Sequence, residues 1–150
     1  MKRPSWDEYF MDVANLVATR STCLRRKVGA VIVKDKCIIS TGYNGASKGA
    51  AHCEEVGCIR EKLKIPSGEQ LDLCRAVHAE QNALLQAAKH GVACDGASIY
   101  ITVTPCFQCA KMLVNAGIKE VIVNGIYPDD RTQELFKEVG VNLRILEKRC

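Results

Sequence analysis

Aromatic side chains are scarce in this chain: one Trp, four Tyr and three Phe, 5% of its residues. Proteins that read RNA by stacking unpaired bases are built on such rings, so this scarcity speaks against that class. No apolar run approaches the roughly 18 residues that mark a membrane-spanning helix. The opening stretch MKRPSWDEYF lacks the apolar segment of a secretory leader, and the expectation is a cytoplasmic protein. Charge of one sign is also in short supply, since 21 Lys and Arg face 17 Asp and Glu for a net +4. That balance slightly favours a small anionic ligand and gives no sign of nucleic acid or a membrane surface as partner. No repeat, low-complexity tract or linker divides the 150 residues. They are expected to form one domain, 1–150, with its own hydrophobic core.

Cysteine is what the chain has in plenty. There are nine, and an odd number without an export signal argues for reduced thiols and metal rather than disulfides. His78-Ala79-Glu80 is answered further on by Pro105-Cys106-Phe107-Gln108-Cys109. One imidazole and two thiolates can hold Zn²⁺ and leave its fourth tetrahedral position to water, whose pKa then falls to about 7. Glu80 is the free carboxylate that moves protons beside it. Each piece alone has a blander reading. A single histidine is commonly a core residue, a C-x-x-C pair can be redox-active or structural, and Glu80 could close the site as a fourth ligand. The combination of H-x-E with P-C-x-x-C points to an open, catalytic zinc.

The spacing has a physical logic. Residues 78–91, rich in Ala, Leu and Gln and closed by Gly91, read as a helix with His78 and Glu80 in its first turn. Pro105 suits the first position of another helix, with Cys106 and Cys109 at i and i+3 facing one way. Two helix N-termini then converge, and their dipoles help keep the thiolates ionised.

Around this pair the chain alternates. Ser5 and Glu8 form a capping box for a helix over 6–20, with Tyr9, Phe10, Val13, Leu16 and Val17 expected on its sheet side. Residues 28–34 and 37–43 are β-branched runs joined at Asp35-Lys36, a hairpin. Residues 45–77 show little periodicity and read as an irregular insertion with one short helix. Beyond residue 91 come a strand at 97–104, a helix at 106–116, a strand at 120–124, a helix at 131–139 and a strand at 142–146. The expected fold class is α/β: a three-layer α/β/α arrangement around a mixed five-stranded sheet.

That order of elements resembles the cytidine deaminase superfamily over essentially the whole chain. Lys27-Val28-Gly29-Ala30-Val31, Ser40-Thr41-Gly42-Tyr43-Asn44-Gly45, His78-Ala79-Glu80-Gln81-Asn82-Ala83 and Tyr100-Ile101-Thr102-Val103-Thr104-Pro105-Cys106 most resemble the deoxycytidylate (dCMP) deaminases within it. Adenosine deaminases acting on tRNA share H-A-E and P-C-x-x-C but usually lack the Thr41–Gly45 wording and the cysteine-bearing insertion. The resemblance implies zinc on His78, Cys106 and Cys109, with Glu80 shuttling protons in the hydrolysis of dCMP to dUMP and ammonia, a supply of dUMP for dTTP synthesis. It implies Asn44 at the nucleoside sugar, although an Asn-Gly after a strand is also an ordinary turn. For a 5′-phosphate it offers Arg26 and Arg25, and Tyr127, which resembles a family tyrosine. It further implies a second, structural zinc with Cys23 and Cys53, completed by Cys58 and Cys74 and with His52 as a substitute ligand, against the alternative of buried free thiols. Regulation by dCTP and dTTP with Mg²⁺, near the Asn44 loop and the Gln86–Lys89 helix surface, and a homo-hexameric assembly belong to the same implication. Cys37, Cys94 and Cys150 read as structural or incidental. The alternatives are a dCTP, free-cytidine, guanine or tRNA-adenosine deaminase, and a zinc module without catalysis.

Overall fold

A computed structural model describes residues 1–147; Cys150 lies outside them. Helix α1 (Trp6–Ala18) opens on the expected reciprocal cap. Ser5 N donates to Glu8 Oε2 at 2.6 Å, and Glu8 N to Ser5 Oγ at 3.3 Å. Its buried residues are Phe10, Met11, Ala14 and Ala18, whereas Tyr9 and Leu16 are exposed. The face is therefore rotated from the expected one. The reason is Gly29 in strand β1 (Gly29–Lys34), where an added Cβ would lie 2.0 Å from Ala14 O and 2.6 Å from Ala18 N. Only the small-residue side of α1 can approach that closely.

Strand β1 turns into β2 (Cys37–Tyr43) through Asp35 and Lys36. Both have positive φ, 51° and 61°, as a two-residue type I′ hairpin requires. After the insertion follow α4 (Ala79–Lys89), β5 (Ser98–Ile101), α5 (Phe107–Asn115), β6 (Glu120–Asn124), α6 (Asp130–Val139) and β7 (Asn142–Leu146). The sheet order is β2-β1-β5-β6-β7. β1 is antiparallel to both β2 and β5, while β5, β6 and β7 run parallel.

Side chains alternate across this sheet as the period of two demands. Ala30, Ile32, Ile99, Ile101, Val121 and Val123 face α4, α5 and α6. Val31, Val33, Tyr100 and Ile122 face α1. The expected three-layer fold with a mixed five-stranded sheet is what forms. No helix among the described residues is long and apolar enough to cross a membrane.

The insertion is more ordered than the sequence suggests. Its ends pair as a short antiparallel ribbon, β3 (Gly45–Ala46) with β4 (Ala76–Val77), which draws the loop's neck shut. Between them lie α2 (Cys53–Val56), α3 (Ile59–Lys62) and a 3₁₀ turn at Leu71–Leu73. Elements this short carry no readable hydrophobic period.

Candidate active site

The ends of α4 and α5 meet at the C-terminal side of β5. His78 is the N-cap of α4 (φ −68°, ψ 155°) and Cys106 the N-cap of α5 (φ −71°, ψ 162°). A cap residue leaves the helical path, so its side chain stands at the helix end among unpaired N–H groups. Cys109 N donates to Cys106 Sγ at 3.5 Å, and His78 N to Gln81 Oε1 at 2.9 Å. Pro105 consequently precedes the cap instead of occupying the first helical position, because Cys106 must stay extended for its sulfur to reach back.

His78 Nδ1 lies 3.2 Å from Cys109 Sγ and 3.6 Å from Cys106 Sγ. The three ligand atoms all fall within 4.8 Å of one another, the one such group among the described residues. Tetrahedral zinc with Zn–N near 2.05 Å and Zn–S near 2.3 Å places an N and an S donor about 3.6 Å apart. The donor set therefore fits zinc in both chemistry and spacing. The Cys106 thiol is drawn down to about 4, mainly by the hydrogen bond from Cys109, and the Cys109 thiol is pushed up by the same bond and by burial. The hydrogen bond to Cys106 raises His78, against burial.

Glu80 lies in the first turn of α4 and is only 4% exposed. Burial pushes its carboxyl up to about 7, which poises it for proton transfer near neutral pH. The helix that carries it is fixed to the sheet. Ser40 Oγ donates to Ala83 O at 2.6 Å and Asn82 Nδ2 to Tyr43 O at 2.8 Å.

His78, Glu80 and Cys106 open onto a cavity of about 240 Å³ that Asn44, Arg25 and Arg60 also line. Asn44 Oδ1 accepts from Val28 N at 2.9 Å and Ser21 Oγ at 2.5 Å, and its Nδ2 donates to Arg26 O at 2.8 Å. The amide thus braces the entry to β1 and keeps one N–H spare for the cavity. Arg26 lines the same cavity but is solvent-exposed. Tyr127 does not reach it. It is 64% exposed and lines a separate groove beside α6, so the structure does not bring it to the other candidates. Cys23 and Cys74 line the cavity, and Cys53 and Cys58 are buried behind it. Burial raises the Cys53 thiol, with smaller contributions from Cys23, Cys74 and Cys58. The four are neighbours, but no three of their sulfurs fall within 4.8 Å of one another. His52 Nδ1 is paired with Thr22 Oγ1 at 2.9 Å. The sequence reading passed over Arg60, whose only local signal is a cation inside the aperiodic insertion.

A buried carboxylate beside a His-Cys-Cys cluster, at two helix ends on a mixed sheet, has the makings of a metal-binding protein. The comparisons narrow it. Residues 4–124 match the model of the cytidine and deoxycytidylate deaminase zinc-binding region, and the chain belongs to that family. ComE operon protein 2 of Bacillus subtilis is 46% identical over 149 residues, 98% of this chain and 74% of that protein. The deoxycytidylate deaminase of Schizosaccharomyces pombe is 44% identical over 143 residues, 95% of this chain. The chain spans 44% of the length of that relative. The crystal structure of cyanophage S-TIM5 dCMP deaminase in complex with dCMP and dUMP superposes with a TM-score of 0.76 at 30% identity, covering 97% of this chain and all of that one.

Proposed function

We propose that the protein hydrolyses dCMP to dUMP and ammonia, with His78, Cys106 and Cys109 as the zinc ligands and Glu80 as the proton shuttle. The observation that carries this reading is Glu80 buried against the three-donor cluster inside a cavity bordered by arginines. Zinc bound there supplies a Lewis acid that makes water nucleophilic near neutral pH.

Glu80 does the rest of the proton work. It accepts a proton from the attacking water, gives one to N3 of the cytosine, and then delivers one to the departing exocyclic amine. The water oxygen replaces nitrogen at C4, and the two protons lost by the water leave on ammonia and on N3 of the product. Asn44 lines the same cavity, and its second amide N–H would donate to a sugar hydroxyl. Proton transfer at these positions needs approaches of roughly 2.6–3.2 Å.

The finer features implied by the resemblance are proposals of the same kind. A second zinc on Cys23, Cys53, Cys58 and Cys74 predicts two zinc ions per chain by metal analysis. Control by dCTP and dTTP with Mg²⁺, and a hexamer, predict rate changes with effector and a sixfold mass in solution. The test of the activity itself is ammonia release from dCMP, dCTP, deoxycytidine, CMP, adenosine and guanine side by side. Preference for dCMP is the expected result; preference for any other of the six overturns the substrate.

A further inference from the structure

Ser21 carries a buried hydroxyl that the reaction above does not use. It is 2% exposed and is not among the residues that line the cavity. Its Oγ lies 2.5 Å from Asn44 Oδ1 and 2.9 Å from Asn44 O, and it accepts from Cys23 N at 3.3 Å. A hydroxyl has one proton to give. Both Asn44 oxygens are acceptors and the Cys23 N–H can only donate, so that proton is directed at Asn44.

Asn44 does line the cavity, together with His78 and Glu80. Its Oδ1 takes two donors, Ser21 Oγ and Val28 N, and its Nδ2 gives one N–H to Arg26 O. Two lone pairs are thereby filled, and one amide N–H is left over. Val28 and Arg26 act through their backbone and settle which way round the amide lies. Ser21 is the one side chain in the set. It holds the side-chain oxygen and the main-chain oxygen of the same residue, which restrains the torsions between them. Hydrogen bonds in a shielded chain also polarise one another, so donation into Oδ1 makes the remaining N–H a stronger donor. Ser21 is itself anchored to α1, since its N–H donates to Ala18 O at 3.0 Å. That helix packs on the sheet face opposite α4.

We propose that Ser21 is a positioning residue for the nucleoside sugar. Through Asn44 it aims the amide N–H at the sugar hydroxyl, and it thereby sets how strongly a substrate with that hydroxyl is preferred to one without. The inference rests on the deaminase reading above and on the place that reading gives Asn44. It also gives α1 a part in a site on the other face of the sheet.

The experiment measures kcat/KM for dCMP and for 2′,3′-dideoxycytidine 5′-monophosphate, which lacks the free sugar hydroxyl. The proteins compared are wild type, Ser21→Ala, Ser21→Gly and Ser21→Thr. The ratio of the two efficiencies is read within one sample, so the amount of folded protein cancels. Wild type should prefer dCMP by about 10-fold, the worth of one good hydrogen bond. In Ser21→Ala and Ser21→Gly the ratio should fall by about 3- to 10-fold, with little change on the dideoxy substrate. Ser21→Thr, which keeps the hydroxyl, should restore it. In an Asn44→Ala background, removing the Ser21 hydroxyl should change the ratio no further. A purely structural role would lower both substrates equally in Ser21→Ala and Ser21→Gly, and that result overturns the inference while leaving the deaminase reading intact. A wild-type protein that treats the two substrates alike removes the Asn44 contact and the inference with it. One that deaminates neither overturns the reading itself.

Discussion

At the scale of single residues the decisive fact is where Glu80 sits. A carboxylate in the first turn of a helix would ordinarily face water, yet this one is 4% exposed and its carboxyl is pushed up to about 7 by burial. Glu80→Gln keeps the shape and all three candidate metal ligands, so bound zinc is expected to stay at the wild-type level while turnover drops by about 10²–10⁴-fold. Metal analysis and an ammonia assay on the same sample check this, and retained turnover would remove the assigned role. A second expectation concerns the metal-free protein. Because the folded-state pKa of Glu80 exceeds its ordinary 4.5, the native state binds more protons than the unfolded one between about 4.5 and 7. Stability attributable to this group is therefore greatest at low pH and is lost as pH rises through that window. Denaturant unfolding of zinc-stripped protein should show a decline from pH 5 to pH 8 that Glu80→Gln shallows. Parallel profiles for the two proteins would contradict the burial argument.

At the scale of elements, the site depends on how closely β2 carries α4. Gly42 lies under the first turns of the helix, where an added Cβ would stand 2.3 Å from Ala79 O and 2.4 Å from Ala83 N. The contact is with backbone, so it cannot be relieved by a rotamer change. Gly42→Ala must displace the helix that bears His78 and Glu80, at a cost of about 1–3 kcal/mol. A lowered thermal midpoint with weaker zinc retention is the expected result, read by calorimetry and by competition with a chromophoric chelator. A variant with an unchanged midpoint and unchanged zinc affinity would show that the helix is held by something else. The glycine in Thr41-Gly42-Tyr43-Asn44-Gly45 thus has a packing reason of its own. The asparagine in the same stretch braces Ser21 and Val28.

Across the whole molecule, one polar network joins the first helix to the last strand. Arg144 in β7 donates to Asp7 at 2.7 and 3.0 Å and to Glu120 at 3.0 and 2.8 Å, while Tyr100 donates to Asp7 at 2.6 Å. The hydrogen bond from Arg144 holds the Asp7 carboxyl below its ordinary range. A carboxyl lowered in the folded state adds stability above its unfolded pKa of about 3.9 and loses it as pH falls toward the lower, folded value. Asp7→Asn should therefore flatten the acid limb of the stability profile below about pH 4 and lower stability at neutral pH. Urea titrations across that range measure both, and an unaltered acid limb would mean that the network does not couple to folding. The α1 face of the sheet is held in this way, between the first helix and the last strand.

The sequence by itself determined the grouping of His78 with Cys106 and Cys109 as candidate ligands, the helix cap at Ser5, the hairpin at Asp35-Lys36 and the alternation that makes a mixed sheet. These depend on neighbours within a few positions, where spacing and local propensity suffice. Only the tertiary structure decided which side of α1 is buried, because that follows from the close approach of Gly29 to Ala14. It alone formed the β3–β4 ribbon, two residues on each side and too short for any period. It also left Tyr127 in solvent and enclosed Arg60. Burial of a charge is a property of everything packed around it, and no run of residues in one stretch encodes it.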